Sequence, residues 1–249
     1  MTRIGAIRTS VVVGAILLLE SLCRLGVISG KVLMPPSVML ANLTELILAG
    51  SVTDNLIETM GSVALALLLA LLGGFTLGTV IHAFPRLRQA MDPFFASYYA
   101  LPFFAFYPVL IVLFGLGRLP IVVIGFLFGV VVVIMSTLNG FDRIPKVLLK
   151  TAEVYRMRPL QAAIRLKLPY AAPYLFTGVK LAVAYSFIGV IAAEFIQASS
   201  GLGYAISYAF NSFDNRTMYA LMLLVIILVT TVNAAFYAME QRLLARRWK

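Results

Sequence analysis

The chain has one cysteine, one histidine and ten acidic residues in 249, and only 12% of it is charged. Soluble domains carry about 25% charge, so an ordinary soluble domain is excluded. The lone Cys23 excludes a disulfide within one chain and a cysteine-rich metal site. The lone His82 makes no metal site by itself and reads as a polar residue at the end of a span. No G-x-x-x-x-G-K-[ST] phosphate loop occurs, so the chain has no nucleotide site of that kind. What remains is apolar: 61% of residues are hydrophobic and the mean hydropathy is +0.98.

The apolar residues fall in long runs. Residues 59–81, 93–117, 119–141 and 217–239 hold no Asp, Glu, Lys or Arg. Each can cross a hydrocarbon core of about 30 Å as a helix. Residues 10–28, with Glu20 and Arg24, and residues 174–198, with Lys180 and Glu194, complete a set of about six. Runs this apolar are helices and not barrel strands. The expectation is an all-α integral membrane protein, a single transmembrane domain over residues 1–249. Arg3 and Arg8 ahead of residues 11–19 resemble a signal peptide, but no small-residue cleavage site follows, so the first span is expected to be retained.

The net charge of +10 suggests nucleic acid until its distribution is followed. Threading six spans puts Arg3, Arg8, Arg86, Arg88, Arg143, Lys146, Lys150, Arg156, Arg158, Arg165, Lys167, Arg242, Arg246, Arg247 and Lys249 on one side. Only Lys31, Arg118 and Arg216 fall on the other, with Glu45, Asp54, Glu58 and Asp214, and Arg24 lies near that end of the first span. The positive-inside rule makes the basic side cytoplasmic, with both termini there. Topology and attraction to anionic headgroups account for most of these cations, and no nucleic acid is expected.

Residues 145–173 form a basic island with Lys146, Lys150, Arg156, Arg158, Arg165 and Lys167 against Glu153. Pro145 can open a helix. Pro159 biases Arg158 away from helix, and a second short helix is expected from Leu160 to Leu168, ending at Pro169. A cytoplasmic loop of two helices meeting at a corner, over about 144–170, is too long and too patterned for a mere connection.

Other features lie along the chain. Glu20 and Arg24 are spaced as an i,i+4 pair with the acid first. Residues 38–50 are amphipathic, with Leu40, Leu43, Ile47 and Leu48 on one face, as in an interfacial helix. Gly74 and Gly78, and again Gly125 and Gly129, make G-x-x-x-G steps that let membrane helices approach. Pro102 and Pro108 should each kink or break the third span, as in a helix lining a pathway or as a static kink. Glu194 can accept hydrogen bonds from amides of the following Ser199, Ser200, Gly201, Gly203 turn; as an ionisable residue in a span it is also a functional candidate. Phe103, Phe104, Phe106, Tyr107, Tyr185 and Phe187 either line an aromatic passage or pack in the core and against lipid.

Together these stretches resemble the membrane (permease) subunit of bacterial ABC importers, of the nitrate, sulfonate, taurine and bicarbonate type. Residues 33–37 (LMPPS), 101–117 (LPFFAFYPVLIVLFGLG), the island and 193–204 (AEFIQASSGLGY) carry the resemblance. The island corresponds to the family's coupling loop, patterned E-A-A, Gly three residues later, then I-x-L-P. Anchoring on Leu168 and Pro169 puts Lys150, Thr151 and Ala152 at E-A-A, Arg156 at the glycine and Leu166 at the isoleucine. Lys150 and Arg156 depart from the pattern.

The resemblance implies a type I importer fold. It implies ATPase coupling through Lys150, Thr151, Ala152, Glu153, Tyr155, Arg156, Met157, Arg158, Leu160, Leu168 and Pro169. It implies a pathway or gate at Pro102, Phe106, Pro108, Tyr185, Glu194, Ser199, Ser200, Gly201 and Gly203. The implied partners are a second permease copy in a homodimer, a dimer of ATP-binding subunits that hold ATP and Mg, an extracytoplasmic substrate-binding protein and the lipid bilayer. The chain itself would be non-catalytic, bind no cofactor or metal, and span the inner membrane. An ATP-independent transporter or channel is the alternative, although no inverted repeat with paired broken helices is evident. A membrane enzyme would need convergent carboxylates or several histidines, against Glu20, Glu194 and His82. Lys180 is the clear cation within a span, and the solute itself is left open.

Overall fold

The computed structural model describes residues 3–29 and 32–245. Lys31, Arg246, Arg247 and Lys249, used above for topology, lie outside the described residues. Within them the chain is helical, in the order α1 (Arg3–Arg24), α2 (Pro36–Leu48), α3 (Thr53–Ala83), α4 (Pro85–Ser97), α5 (Tyr107–Phe114), α6 (Arg118–Asp142), α7 (Lys146–Val154), α8 (Pro159–Ala162), α9 (Leu168–Gln197), α10 (Leu202–Asn211) and α11 (Asn215–Ala245). Four stretches among the described residues are long and apolar enough to cross a membrane: Thr53–Ala83, Arg118–Asp142, Ala163–Ile196 and Asn215–Gln241.

The first and third expected spans are not among these four. The first is α1, which ends at Arg24 because Gly26 turns into the left-handed region at φ +73°. Its Glu20 carboxylate accepts from Arg24 Nε at 2.6 Å, as expected of the pair. It also accepts from the Ser37 hydroxyl at 2.6 Å and the Ser37 amide at 3.0 Å. Glu20 thus satisfies an otherwise orphaned amide in the first turn of α2.

The third expected span is broken. Leu101 is extended, Pro102 sits at φ −78°, ψ 76°, and the Phe103 amide donates to the Leu101 carbonyl at 2.9 Å. That is an inverse γ-turn on a residue with no amide of its own. Two 3₁₀ turns, Tyr98–Ala100 and Phe103–Phe106, flank it. Pro108 does not break anything: it lies in the first turn of α5, where its missing amide costs little. Tyr98, Phe103, Phe104 and Phe128 pack their rings together, and the Tyr98 hydroxyl donates to the Leu127 carbonyl at 2.9 Å. Phe103, Tyr107 and Phe187 are buried core residues, whereas Phe106 is exposed.

The central element is α6, which packs on α3 along one side and α9 along the other. The G-x-x-x-G residues make both contacts. A Cβ on Gly74 would lie 2.9 Å from the Val130 carbonyl, and one on Gly78 would lie 2.8 Å from Thr137 Cβ. A Cβ on Gly125 would meet Val190 at 2.6 Å and Ala66 at 2.9 Å, and one on Gly129 would meet Ser186 Oγ at 2.7 Å. From the α9 side, a Cβ on Gly189 would sit 2.9 Å from the Gly125 Cα.

Around this core, α10 and α11 pack on α9, and α2 packs on α11. Arg216 of α11 donates to Asn42 at 2.6 Å and Glu45 at 3.2 Å of α2. On α2 it is Asn42 and Leu43 that are buried, while Leu40, Ile47 and Leu48 are exposed. Asp214, between α10 and α11, accepts from the Thr217 amide. Hydrogen bonds from the Thr217 side chain and amide hold its carboxyl below the ordinary aspartate value.

Gly125→Ala is expected to lower stability by roughly 1–3 kcal/mol through overpacking. Gly14→Ala on α1, where nothing lies within 4 Å, should leave it unchanged or slightly raised. Thermal unfolding of the detergent-solubilised chain checks both. Equal melting of the two variants would contradict the packing described.

Candidate functional site

One end of the core carries the basic loop. At its root the Asp142 carboxylate accepts from Arg88 Nη2 of α4 at 3.1 Å and lies 3.4 Å from His82 Nε2 of α3. The next residue, Arg143, places its guanidinium 5.2 Å from the centre of the Tyr174 ring on α9. The chain leaving α6 is therefore gripped by α3 and α4 on one side and α9 on the other. Pro145 is the N-cap of α7, one residue before the position expected for it.

The corner forms at Arg156 and not beside Arg158. The Arg156 amide donates to the Glu153 carbonyl and the Met157 amide to the Ala152 carbonyl, each at 2.9 Å. These are the two bonds of a Schellman motif, and its left-handed position is Arg156, at φ +47°. A residue with a Cβ pays about 1–2 kcal/mol there, which is the physical reason for a glycine at the corresponding family position. Val154 and Tyr155 beside the corner are 79% and 76% exposed. Lys150, Glu153, Arg156 and Arg158 are exposed, Thr151, Met157, Leu168 and Pro169 half-buried, and Ala152 buried.

After the corner, the chain differs from the expected second helix. Leu160 lies in α8, a single turn, and residues Ala163–Lys167 form a π turn running straight into α9. Pro169 does not end the helix. It offers no amide to the carbonyl four residues back, and the local widening, with the Leu168 amide donating to the Ala163 carbonyl, absorbs the mismatch. The loop is thereby continuous with the 30-residue α9.

The opposite end of α9 carries Glu194, which is 1% exposed. Thr59 of α3 brings its hydroxyl 2.8 and 3.0 Å from the two carboxylate oxygens, and the Gly203 amide donates to Oε2 at 3.0 Å. Thr59 Oγ1 in turn accepts from the Leu202 amide at 2.8 Å, and Asn55 Oδ1 accepts from the Gly201 amide at 2.9 Å. Three amides at the start of α10 are so consumed by α3 and α9. Gly201, at φ +100°, has no room for a Cβ, which would overlap the Glu194 carboxylate. The expected hydrogen bonding of Glu194 by the glycine turn is present. Neither Thr59 as the partner of Glu194 nor Asn55 as the partner of Gly201 was legible, since each lies more than 130 residues away in sequence.

Of the other pathway candidates, Ser199 and Ser200 adjoin this node, with Ser199 exposed and Ser200 half-buried. Pro102, Phe106 and Pro108 are exposed on the broken stretch. Tyr185 lies nine residues before Glu194 on α9, about 13 Å along the axis, and does not join it. Lys180 is not a free cation: its ammonium binds Glu240 of α11 at 2.5 Å and lies 5.4 Å from the Tyr237 ring. Glu240 is only 6% exposed. It sits just beyond the last uncharged run, which is why hydropathy did not flag it.

A family model described as binding-protein-dependent transport system inner membrane component matches residues 70–249. The chain belongs to that family. It is 28% identical over 190 residues to the nitrate import permease protein NrtB of Leptolyngbya laminosa, covering 74% of this chain and 68% of that one. It is 26% identical to the taurine transport system permease protein TauC of Escherichia coli, covering 90% and 83%. The putative aliphatic sulfonates transport permease protein SsuC of Bacillus subtilis is likewise 26% identical, covering 90% and 81%. The fold matches the MetNI methionine ABC transporter in an inward-facing conformation with a TM-score of 0.66, covering 74% of this chain and 92% of that one, at 17% identity. The protein is thus a multi-pass membrane permease with the fold of an ABC importer subunit.

In this permease, Thr59→Val keeps the shape of the side chain and deletes its hydroxyl. It leaves the Leu202 amide and one side of Glu194 unpaired in a buried place, a loss of about 1–3 kcal/mol. Thr59→Ser should stay near the parent. Comparison of their melting temperatures decides it, and a valine variant as stable as the serine one would refute the bridging role.

Proposed function

We propose that the chain is one of two identical membrane subunits of an ATP-driven importer in the inner membrane, with both termini in the cytoplasm. The observation that carries this is the braced, exposed corner at Val154, Tyr155 and Arg156, rooted on three helices at once. An apolar tip within a cationic rim suits insertion into a cleft of a separate ATP-binding subunit, which would hold ATP and Mg. Lys150, Thr151, Ala152, Glu153, Met157, Arg158, Leu160, Leu168 and Pro169 form the rest of that contact and its support. A force on the corner would pass through the π turn into α9, whose far end holds Glu194 and the glycine turn. Glu194, Ser199, Ser200, Gly201 and Gly203 lie where such a movement would open a gate, with Pro102, Phe106, Pro108 and Tyr185 nearer the passage between the two copies. A substrate-binding protein would deliver the solute from outside. The relatives' names favour a small anion such as nitrate, a sulfonate or bicarbonate.

The test is co-purification of tagged full-length protein from mildly solubilised membranes of its host. The parent should bring down an ATP-binding subunit, and Tyr155→Asp should lose it at unchanged membrane abundance. Arg156→Gly should retain it and end α7 with less strain, by about 1 kcal/mol. Failure to recover any ATPase with the parent in several detergents would favour an ATP-independent transporter.

A further inference from the structure

Helix α2 turns one stripe of side chains, Asn42, Glu45, Leu46 and Ala49, toward the first turn of α11, where Arg216 and Thr217 meet it. Their spacing is that of a single helical face. The two helices do not close on each other, and a cleft of about 300 Å³ lies between these six residues. Arg216 is the second residue of α11, whose stretch Asn215–Gln241 is long and apolar enough to cross a membrane. The cleft therefore lies where hydrocarbon gives way to water, at the depth of lipid headgroups. Leu48, 88% exposed, and the exposed Ile47 continue the apolar surface of α2 beside it.

The cleft wall holds a polar group that the fold does not use. Asn42 is 3% exposed. Its Oδ1 accepts from Arg216 Nε at 2.6 Å, which fixes the amide, since turning it over would set N–H against N–H. Its Nδ2 is buried without a hydrogen-bond partner, although buried polar groups normally find one. Ser186 Oγ is also unpartnered, but it is packed against Gly129, where a Cβ would stand 2.7 Å away, and has no room beside it for a ligand.

Charge and size select the class of ligand. The Arg216 guanidinium is 60% exposed and donates to Glu45 Oε2 at 3.2 Å, and it keeps N–H groups beyond its two bonds. Glu45 is itself exposed. A cation and a carboxylate side by side exert little net pull on a simple ion, and the neighbouring Asp214 adds negative charge near Arg216. The pair suits a ligand that carries both signs a short distance apart. At about 30 Å³ for each water-sized group the cleft holds about ten, which is room for a phosphate and a short amino alcohol together. The phosphate would accept from Asn42 Nδ2 and from Arg216 in a charge-assisted bond. A primary ammonium would donate to Glu45.

We propose that this cleft binds the headgroup of a zwitterionic phospholipid with a primary amine, of the phosphatidylethanolamine class, whose acyl chains lie on the apolar surface beside Leu48. A lipid held there ties α2 to α11. The site rests on α11 crossing the membrane and on neither an ATPase nor the identity of the solute.

The experiment is native mass spectrometry of the delipidated full-length chain, titrated with phosphatidylethanolamine, phosphatidylcholine or phosphatidylglycerol of the same acyl chains. The ethanolamine lipid should bind about fivefold more tightly than the choline lipid, the effect of one hydrogen bond, and more tightly than the anionic glycerol lipid. Glu45→Gln, a change on an exposed side chain, should bring the ethanolamine and choline lipids level. Asn42→Leu, which keeps the size and deletes the amide, should weaken both about fivefold in a chain that still melts cooperatively; if it does not fold, Glu45→Gln decides alone. Equal binding of the three lipids, tighter binding of the anionic one, or a preference that survives Glu45→Gln overturns the proposal. Displacement of the lipid by water-soluble phosphoethanolamine overturns it too, and makes the ligand a free solute. Absence of the lipid preference alongside intact ATPase co-purification would sink the site and leave the importer reading standing; the reverse result would do the opposite.

Discussion

The close approach of α6 to both α3 and α9 is the constraint on which the rest of this structure depends. In lipid there is no hydrophobic force to press helices together, so contact distance and packing decide association. Gly74, Gly78, Gly125, Gly129 and Gly189 remove the Cβ atoms that would hold the three axes apart. With those axes fixed, the ends of the helices are fixed as well. Thr59 then reaches Glu194 at one end, and Asp142 reaches Arg88 and His82 at the other.

Each polar cluster of the core closes a gap that the helices leave. Buried or membrane-embedded charges are tolerated only when paired or hydrogen-bonded. Glu194 is spent on the amides and hydroxyl at the start of α10, Glu20 on the first turn of α2, and Lys180 on Glu240. None of the three is left as a lone ion, so the bland structural readings of these residues suffice for most of their surroundings. The corner at Arg156, at φ +47°, is a place where the structure holds backbone strain without an internal return, and the glycine turn that receives Glu194 lies at the other end of α9. Strain of this kind concentrates at functional positions.

The continuity of the loop with α9 gives these two places a mechanical relation. A helix whose first turn is widened into a π turn still carries a displacement along its axis, because it stays helical past Pro173, whose missing amide leaves one gap in its i to i−4 hydrogen bonds. The corner and the glycine turn are thus at two ends of one rod, cross-braced by α6.

Much of this was written in the sequence. The uncharged runs specify helices because lipid allows so few backbone solutions. The pairing of Glu20 with Arg24 and the role of Glu194 toward its glycine turn are local relations, readable from spacing of a few residues. Tertiary structure alone decided the others. Pro102 breaks its span while Pro108 begins a helix, because one falls where an amide is needed and the other where it is not. Pro169 fails to stop a helix that a π turn rescues. Thr59, Asn55, Glu240 and Asp142 find their partners across 60 to 146 residues of sequence or at a neighbouring helix end. Those distances are bridged only when helices pack, and spacing along one chain carries no record of which faces will meet.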